Sequence, residues 1–314
     1  MAVLLSDEAP GSQDQAFAAA IAARFDRVND SGGIFGRRLD MQAHGNTNPT
    51  ADIIARSFAM LGPLSGEAPA GFAVASIPRI APFSSLGTSV ALPGDQTFLL
   101  FPGLVEHARI LVDVAARTAT QGSCRPAIVL SEADRRPSIV TAIDRSEDID
   151  TVFYFGPRDG LAVFAEAAAR QGWFPLLLLS GLHTGRSVFA LADRLGHRVV
   201  AAAPVMPSLA GPPTSGPGTA GRQGSSGREQ HPVAWALGEA VASVLIEGLR
   251  RAGHRVDRAA FVAALEGLAE FDTGLSPRIG FGPNRRLGAP GTYVLEFAGD
   301  TGALPSRVFW VQAE

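Results

Sequence analysis

The sequence predicts an α/β protein built on parallel sheets, and three observations carry that reading. Segments of strand length alternate with segments of helical periodicity along most of the chain. Most strand candidates, such as "PLLLLS" and "RVVAAAPV", are continuous apolar runs, as expected of strands covered by helices on both faces. The 314 residues suffice for two domains of ordinary size, and the two halves repeat the same plan.

The elements follow in order. "MAVLL" reads as a short strand. "DQAFAAAIAARFDRVND" places Phe17, Ile21, Phe25 and Val28 at helical spacing, and the glycines after Asn29 end that helix. "RLDMQAH" reads as a strand, "PTADIIARS" as a short helix, "FAMLG" as a buried strand, "EAPAGFAVAS" as a helix and "IPRIAPF" as a strand. "LVEHARILVDVAARTA" is an amphipathic helix with Leu104, Ala108, Leu111 and Ala115 on its apolar face. The second half gives the strands "PAIVLS" and "DTVFYFG", the helix "GLAVFAEAAARQG", the strand "PLLLLSG", the helix "SVFALADRLG" and the strand "RVVAAAPV". Residues 208–231, rich in Gly, Ser and Pro, are expected to form a flexible loop. Two helices follow, "PVAWALGEAVASVLIEGLRRAG" and "DRAAFVAALEGL", the latter with Asp257 as N-cap. "TYVLEF" and "RVFWVQ" close the chain as two strands joined by a turn.

Composition narrows the function. All 27 basic residues are arginine, which excludes Schiff-base lysines and the phosphate-loop lysine. Cys124 is the single cysteine, so neither an internal disulfide nor a cysteine-based zinc cluster can form. A net charge of −3 gives no general attraction to nucleic acid or acidic membranes. No apolar run approaches the ~20 residues of a membrane span, so the chain is not expected to be membrane-embedded. "MAVLLSDEAPG" lacks the charged and apolar regions of a signal peptide. "GPLSG" is not the nucleophile elbow, because its serine stands one place late. No histidine pair is spaced for a helix-borne metal site, and neither metal nor cofactor is expected. His107 reads as a surface or packing residue of its helix, and nothing amounts to a catalytic constellation.

The segment "AARFDRVNDSGGIFGRRLDMQAH", with Asn29, Gly32, Gly33, Ile34, Gly36 and Arg37, resembles the first helix–loop–strand of type I periplasmic binding proteins. The resemblance is to the branched-chain amino acid (Leu/Ile/Val) binding family of ABC transporters, here shortened and divergent. "FAMLGPLSGEAPA", "IPRIAPFSS", "DIDTVFYFG…FAEAAARQGW" and the stretch from "DRAAFVAALEGL" to "GTYVLEF" match further family segments in the same order. The resemblance implies a two-lobed fold, each lobe a parallel sheet flanked by helices, with the ligand in the cleft. Lobe 1 is expected at 1–118 with 232–285 returning to it, and lobe 2 at 119–207 with 290–314 returning. It further implies a non-catalytic protein of the periplasm, its signal removed, that hands a small molecule to an ABC-type permease.

In open parallel sheets ligands bind beyond the carboxyl ends of the strands. That rule, with the resemblance, gives Ser65, Phe83, Ser84, Ser85, Glu132, Arg136, Phe155, Arg158, Leu182 and His183 as ligand-binding candidates. Residues 28–37 are expected at the opposite strand ends, their glycines serving a tight connection. Ser65 and Ser85 match the carboxylate-binding positions of amino-acid-binding members. Where those members carry an acidic partner for the ammonium group, this chain has "LLSGLHTG". A buried amine without an anionic partner costs several kcal/mol, which disfavours a standard amino acid. The candidates are a carboxylate without an amine, using Arg136 or Arg158, or a largely apolar molecule lying against Phe83, Phe155 and Leu182. One alternative is an apolar ligand, either a lipid such as a sterol or hopanoid or an aromatic compound; another is a sensing or partner-binding protein with a degenerate cleft. Residues 131–149, between "PAIVL" and the next strand, are too few for the helix, strand and helix that the family places there.

Overall fold

A computed structural model describes residues 1–5, 9–45, 51–64, 77–82, 96–118, 125–129, 149–155, 158–181, 195–196, 198–205, 227–228, 230–297 and 305–312. The chain divides into two compact units. Unit 1 comprises Met1–Val105 and Val205–Pro290; unit 2 comprises Glu106–Pro204 and Gly291–Glu314. The helix from Leu104 thus falls almost wholly to unit 2, whereas the sequence reading gave it to the first lobe.

Unit 1 holds a five-stranded sheet, ordered β2-β1-β3-β4-β5. Its strands are β1 (Ala2–Leu5), β2 (Gln42–Gly45), β3 (Met60–Leu61), β4 (Arg79–Ala81) and β5 (Thr97–Leu99), and every pairing is parallel. On one face Ala2, Leu4, Met60 and Ile77 cluster with Ile53 and Ile54 of helix α2 (Ala51–Arg56). Arg258 donates to the carbonyls of Ile54 and Ser57 (3.3 and 2.7 Å), satisfying the carboxyl end of that short helix. Helix α1 (Gln13–Asp30) starts at Ser12, whose hydroxyl accepts from the Gln15 amide (3.2 Å). Phe17, Ile21, Phe25 and Val28 are all buried, as their spacing predicts.

Helix α5 (Pro232–Ala252) is apolar on nearly every side and buried along most of its length. It packs on α1 at Gly238, where an added Cβ would run into the Phe17 carbonyl and stand 2.9 Å from the Ala20 Cβ. Helix α6 (Arg258–Glu266) follows, with Asp257 accepting from the Ala260 amide (2.8 Å) as its N-cap. The chain then returns to the free edge of β5. The Leu99 amide donates to the Arg286 carbonyl and the Gly288 amide to the Leu99 carbonyl, both at 2.8 Å. This pairing covers an edge that would otherwise be open.

Unit 2 holds a six-stranded sheet, ordered β11-β10-β9-β8-β7-β6. Strands β6 (Pro126–Val129), β7 (Thr151–Tyr154), β8 (Leu176–Ser180) and β9 (Val199–Ala203) are parallel, while β10 (Gly291–Phe297) and β11 (Arg307–Gln312) are added antiparallel. Helix α3 (Leu104–Thr118) covers one face, packing Ile110, Leu111, Val114 and Ala115 on Phe153, Leu176, Leu178, Val200, Ala202 and Val294. Helix α4 (Arg158–Arg170) connects β7 to β8.

Two expectations change. Strand β5 was not anticipated: only three residues long, it is too short to show a period and leads at once into Pro102. The buried stripe of α3 runs through His107, Ile110, Leu111, Val114 and Ala115 rather than through Leu104 and Ala108, because a histidine holds a core position. The helices expected in "EAPAGFAVAS" and "SVFALADRLG", the turn before β11 and most of the 208–231 loop lie outside the described residues.

The glycine-rich connection after α1 is built tightly. The Gly33 amide donates to the Val28 carbonyl (2.9 Å). Asn29 clamps Leu39 from both sides, its Nδ2 donating to the Leu39 carbonyl (2.9 Å) and its Oδ1 accepting from the Leu39 amide (2.7 Å). Ile34 and Arg37 exchange backbone hydrogen bonds at 2.9 and 3.0 Å across Phe35 and Gly36, whose φ angles are 51° and 74°. Two successive positive φ angles define the reverse-twisted turn that favours Asn or Gly at both positions. A phenylalanine there carries about 1–2 kcal/mol of backbone strain.

Candidate functional site

The carboxyl ends of the parallel strands are the surface that such sheets offer to ligands, and each unit presents its own. In unit 1 the described residues there are apolar. Leu5, Leu61, Ala81 and Leu99 end β1, β3, β4 and β5, and Leu64, Leu100 and Phe101 beyond them are buried. Gly62 turns the chain after β3 with φ 85°, and a Cβ at that position would lie 3.2 Å from the Phe17 ring and 3.1 Å from the Leu4 carbonyl. The close approach of β1 at this turn therefore requires glycine.

The strand ends of unit 2 differ. Side chains alternate across a sheet, so the face under α3, marked by Phe153, Leu178 and Val294, continues at the strand ends with Phe155, Ser180 and Thr292. Strand β10 runs against β9, with Tyr293 opposite Ala203, which brings its first residues to the end where β9 finishes. Ser180 and Thr292 are fully buried, and so is His107 in the first turns of α3. The Ser180 hydroxyl lies 3.5 Å from His107 Nδ1, a long contact at the limit of a hydrogen bond. The Thr292 hydroxyl is buried with no hydrogen-bond partner among the described residues, which costs about 1–3 kcal/mol. Gly181 follows Ser180, and a Cβ there would collide with Ala203 at 2.8 Å. Nothing larger than glycine fits where the chain leaves β8.

Two of the ten candidate residues stand in this description. Phe155 is half-buried directly after β7 and packs on the α3 core. Arg158 opens α4, so its backbone sits just beyond the end of β7. Ser65, Phe83, Ser84, Ser85, Glu132, Arg136, Leu182 and His183 lie outside the described residues. Sequence reasoning underweighted His107, because a polar residue on an amphipathic helix reads as outward-facing. It did not single out Thr292, whose only signal was its place at the start of a strand. Among the described residues no three His, Cys, Asp or Glu side chains converge as metal ligands.

Two α/β units, one wholly parallel and one with an antiparallel edge pair, define the class of two-lobed binding proteins. The chain belongs to the periplasmic binding protein family, whose sequence profile matches residues 131–302, more than half its length. Solved structures share the fold over nearly the whole chain at low identity. A branched-chain amino acid ABC transporter protein from Thermus thermophilus with bound valine is 15% identical with a TM-score of 0.76, covering 100% of this chain and 95% of its own. A solute-binding protein from Rhodopseudomonas palustris BisB5 in complex with 3,4-dihydroxybenzoic acid is 16% identical with a TM-score of 0.74, covering 99% and 97%. A fatty acid ABC transporter substrate-binding protein from Thermomonospora curvata is 15% identical with a TM-score of 0.69, covering 99% and 91%. No functionally curated protein matches the sequence. Members of the family are substrate-binding proteins rather than enzymes, and those of ABC importers work outside the cytoplasm.

Proposed function

We propose that this protein is a non-catalytic, extracytoplasmic solute receptor that holds a small carboxylate lacking an α-amino group and delivers it to an ABC-type permease. On this reading the two units are the lobes, and the ligand lies at their strand ends. The observation that carries it is the carboxyl end of β8. The strand finishes in Ser180, Gly181 follows, and the sequence has no acidic residue from there to Asp193, so this strand end itself offers no anionic partner for an ammonium group. Buried hydroxyls at the strand ends of unit 2 and apolar side chains at the strand ends of both units suit an acid with a hydrocarbon body. Ser65, Ser84 and Ser85 are proposed to hold the carboxylate with Arg136 or Arg158, while Phe83, Phe155 and Leu182 face the hydrocarbon and Glu132 and His183 flank it. Aromatic and fatty acids fit this description, and so do larger lipids if the apolar surface dominates.

Thermal melting against a ligand panel tests the reading. Aliphatic and aromatic monocarboxylates are expected to raise the melting temperature, a ligand at 100 times its Kd adding about 2.7 kcal/mol, while leucine and valine leave it unchanged. A saturable rise with leucine or valine overturns the proposal.

A further inference from the structure

The loop of residues 32–38 lies at the amino ends of the unit 1 strands, away from the proposed ligand surface, and three of its features are left without a role. Phe35 adopts a positive φ that a bulky residue avoids, yet its side chain is not repaid by burial, being 45% exposed. Its ring lies on His254, centroids 4.1 Å apart and planes inclined by 34°. Together with Ile34, Leu39, Phe58, Leu249 and Val256 it walls a cavity of about 130 Å³. Arg37 and Arg38 line the same cavity, are exposed, and have no ion-pair or hydrogen-bond partner for their side chains among the described residues. No acidic side chain lines it.

We propose that this cavity is a second binding site, for a small aromatic monocarboxylate whose ring enters between Phe35, Phe58 and Leu249 while its carboxylate meets Arg37 and Arg38. The size argues for it, because an apolar cavity of roughly 150 Å³ accepts a benzene ring. The charge argues for it too, since guanidinium groups pair with carboxylates through two parallel hydrogen bonds. The turn holds the aromatic wall and the cations on one rigid scaffold: Ile34 and Arg37 are bonded to each other, and Asn29 fixes Leu39. The site is independent of the strand-end surface and does not rest on the function proposed above.

The test uses the full chain, isotope-labelled for NMR, titrated with phenylacetate and, separately, with its neutral analogue phenylacetamide. Saturable shifts in the amides of residues 34–39 and 249–256, with the amide analogue binding at least about tenfold more weakly, are expected. The double variant Arg37→Ala, Arg38→Ala is expected to keep its melting temperature and lose about tenfold in affinity. Phe35→Asn sharpens the test, since asparagine accepts the left-handed conformation: melting temperature should rise while affinity for phenylacetate falls. No saturable shift at this loop at millimolar phenylacetate overturns the proposal, as does equal binding of the amide analogue or full affinity in the double variant. Shifts confined to Phe155, Ser180 and Thr292 overturn the second site and leave the strand-end reading standing. Failure of that reading leaves the signal at residues 34–39 interpretable on its own.

Discussion

The two units solve the same architectural problem with different chemistry at the same place. Both end parallel strands in a buried layer, but unit 1 fills it with Leu5, Leu61, Leu64, Leu100 and Phe101, whereas unit 2 buries His107, Ser180 and Thr292 there. Burying polar groups destabilises a fold unless they are partnered, so the described strand ends of unit 2 carry a cost that those of unit 1 do not. The edges differ as well. Unit 1 closes its sheet by pairing β5 with the returning 286–288 segment, and unit 2 by adding an antiparallel hairpin.

The largest effect should come from breaking the core of unit 1. Gly238→Val forces a branched side chain into the α1–α5 contact at Phe17 and Ala20. A loss of about 1–3 kcal/mol is expected. Hydrogen exchange should rise in α1, α5 and β1 before it rises in β8 and β9; equal and simultaneous loss in both units would mean that they do not behave as separate cooperative bodies.

A smaller effect tests the strand ends of unit 2. His107→Leu makes the strand ends of unit 2 resemble those of unit 1 and withdraws the imidazole from the Ser180 hydroxyl. Leaving that hydroxyl less well satisfied should cost about 1–2 kcal/mol, read by urea unfolding, and acid binding should weaken. Unchanged affinity for the best acid of the panel would remove His107 from the recognition surface.

The smallest effect concerns pH. Asp150, just before β7, accepts from the Thr151 hydroxyl (2.8 Å) and from the Arg125 amide (3.1 Å). The Thr151 hydroxyl foremost, with the Arg125 amide and the nearby Arg198 and Arg125 charges, holds its carboxyl below the usual aspartate range against desolvation, which is the second-largest influence. A lowered folded-state pKa contributes stability above the ordinary aspartate pKa and loses it as pH falls through the lowered value. Asp150→Asn should therefore lower stability slightly near neutral pH, flatten the acid limb and converge with the parent protein at low pH, read by urea unfolding across the pH range. Because the group is exposed, the change should be slight.

How much of this was legible in the sequence follows the same division. Where a buried face is uniformly apolar, spacing alone reveals it: Phe17, Ile21, Phe25 and Val28 gave α1, and "PLLLLSG" gave β8. Where a polar residue occupies a core position, spacing misleads. His107 hid the true face of α3, and Thr292 gave no sign of burial. β5 escaped because three residues cannot display a period, its pairing being set by β4 and the distant 286–288 segment. The Asn29–Leu39 clamp was legible only as a family-like motif, since its hydrogen bonds join residues across a loop. Of the candidate site, the strand ends were legible from topology, because a parallel sheet fixes which end receives a ligand. The side chains that specify the ligand were not, because they depend on tertiary neighbours rather than on spacing.

The most direct test of the central claim is native mass spectrometry of the protein as purified, followed by release and identification of whatever is bound. A one-to-one adduct whose released molecule bears a carboxyl group and no amine is the predicted result. An adduct that releases leucine, valine or another α-amino acid would contradict the account, because it would place an ammonium group where the end of β8 provides no carboxylate.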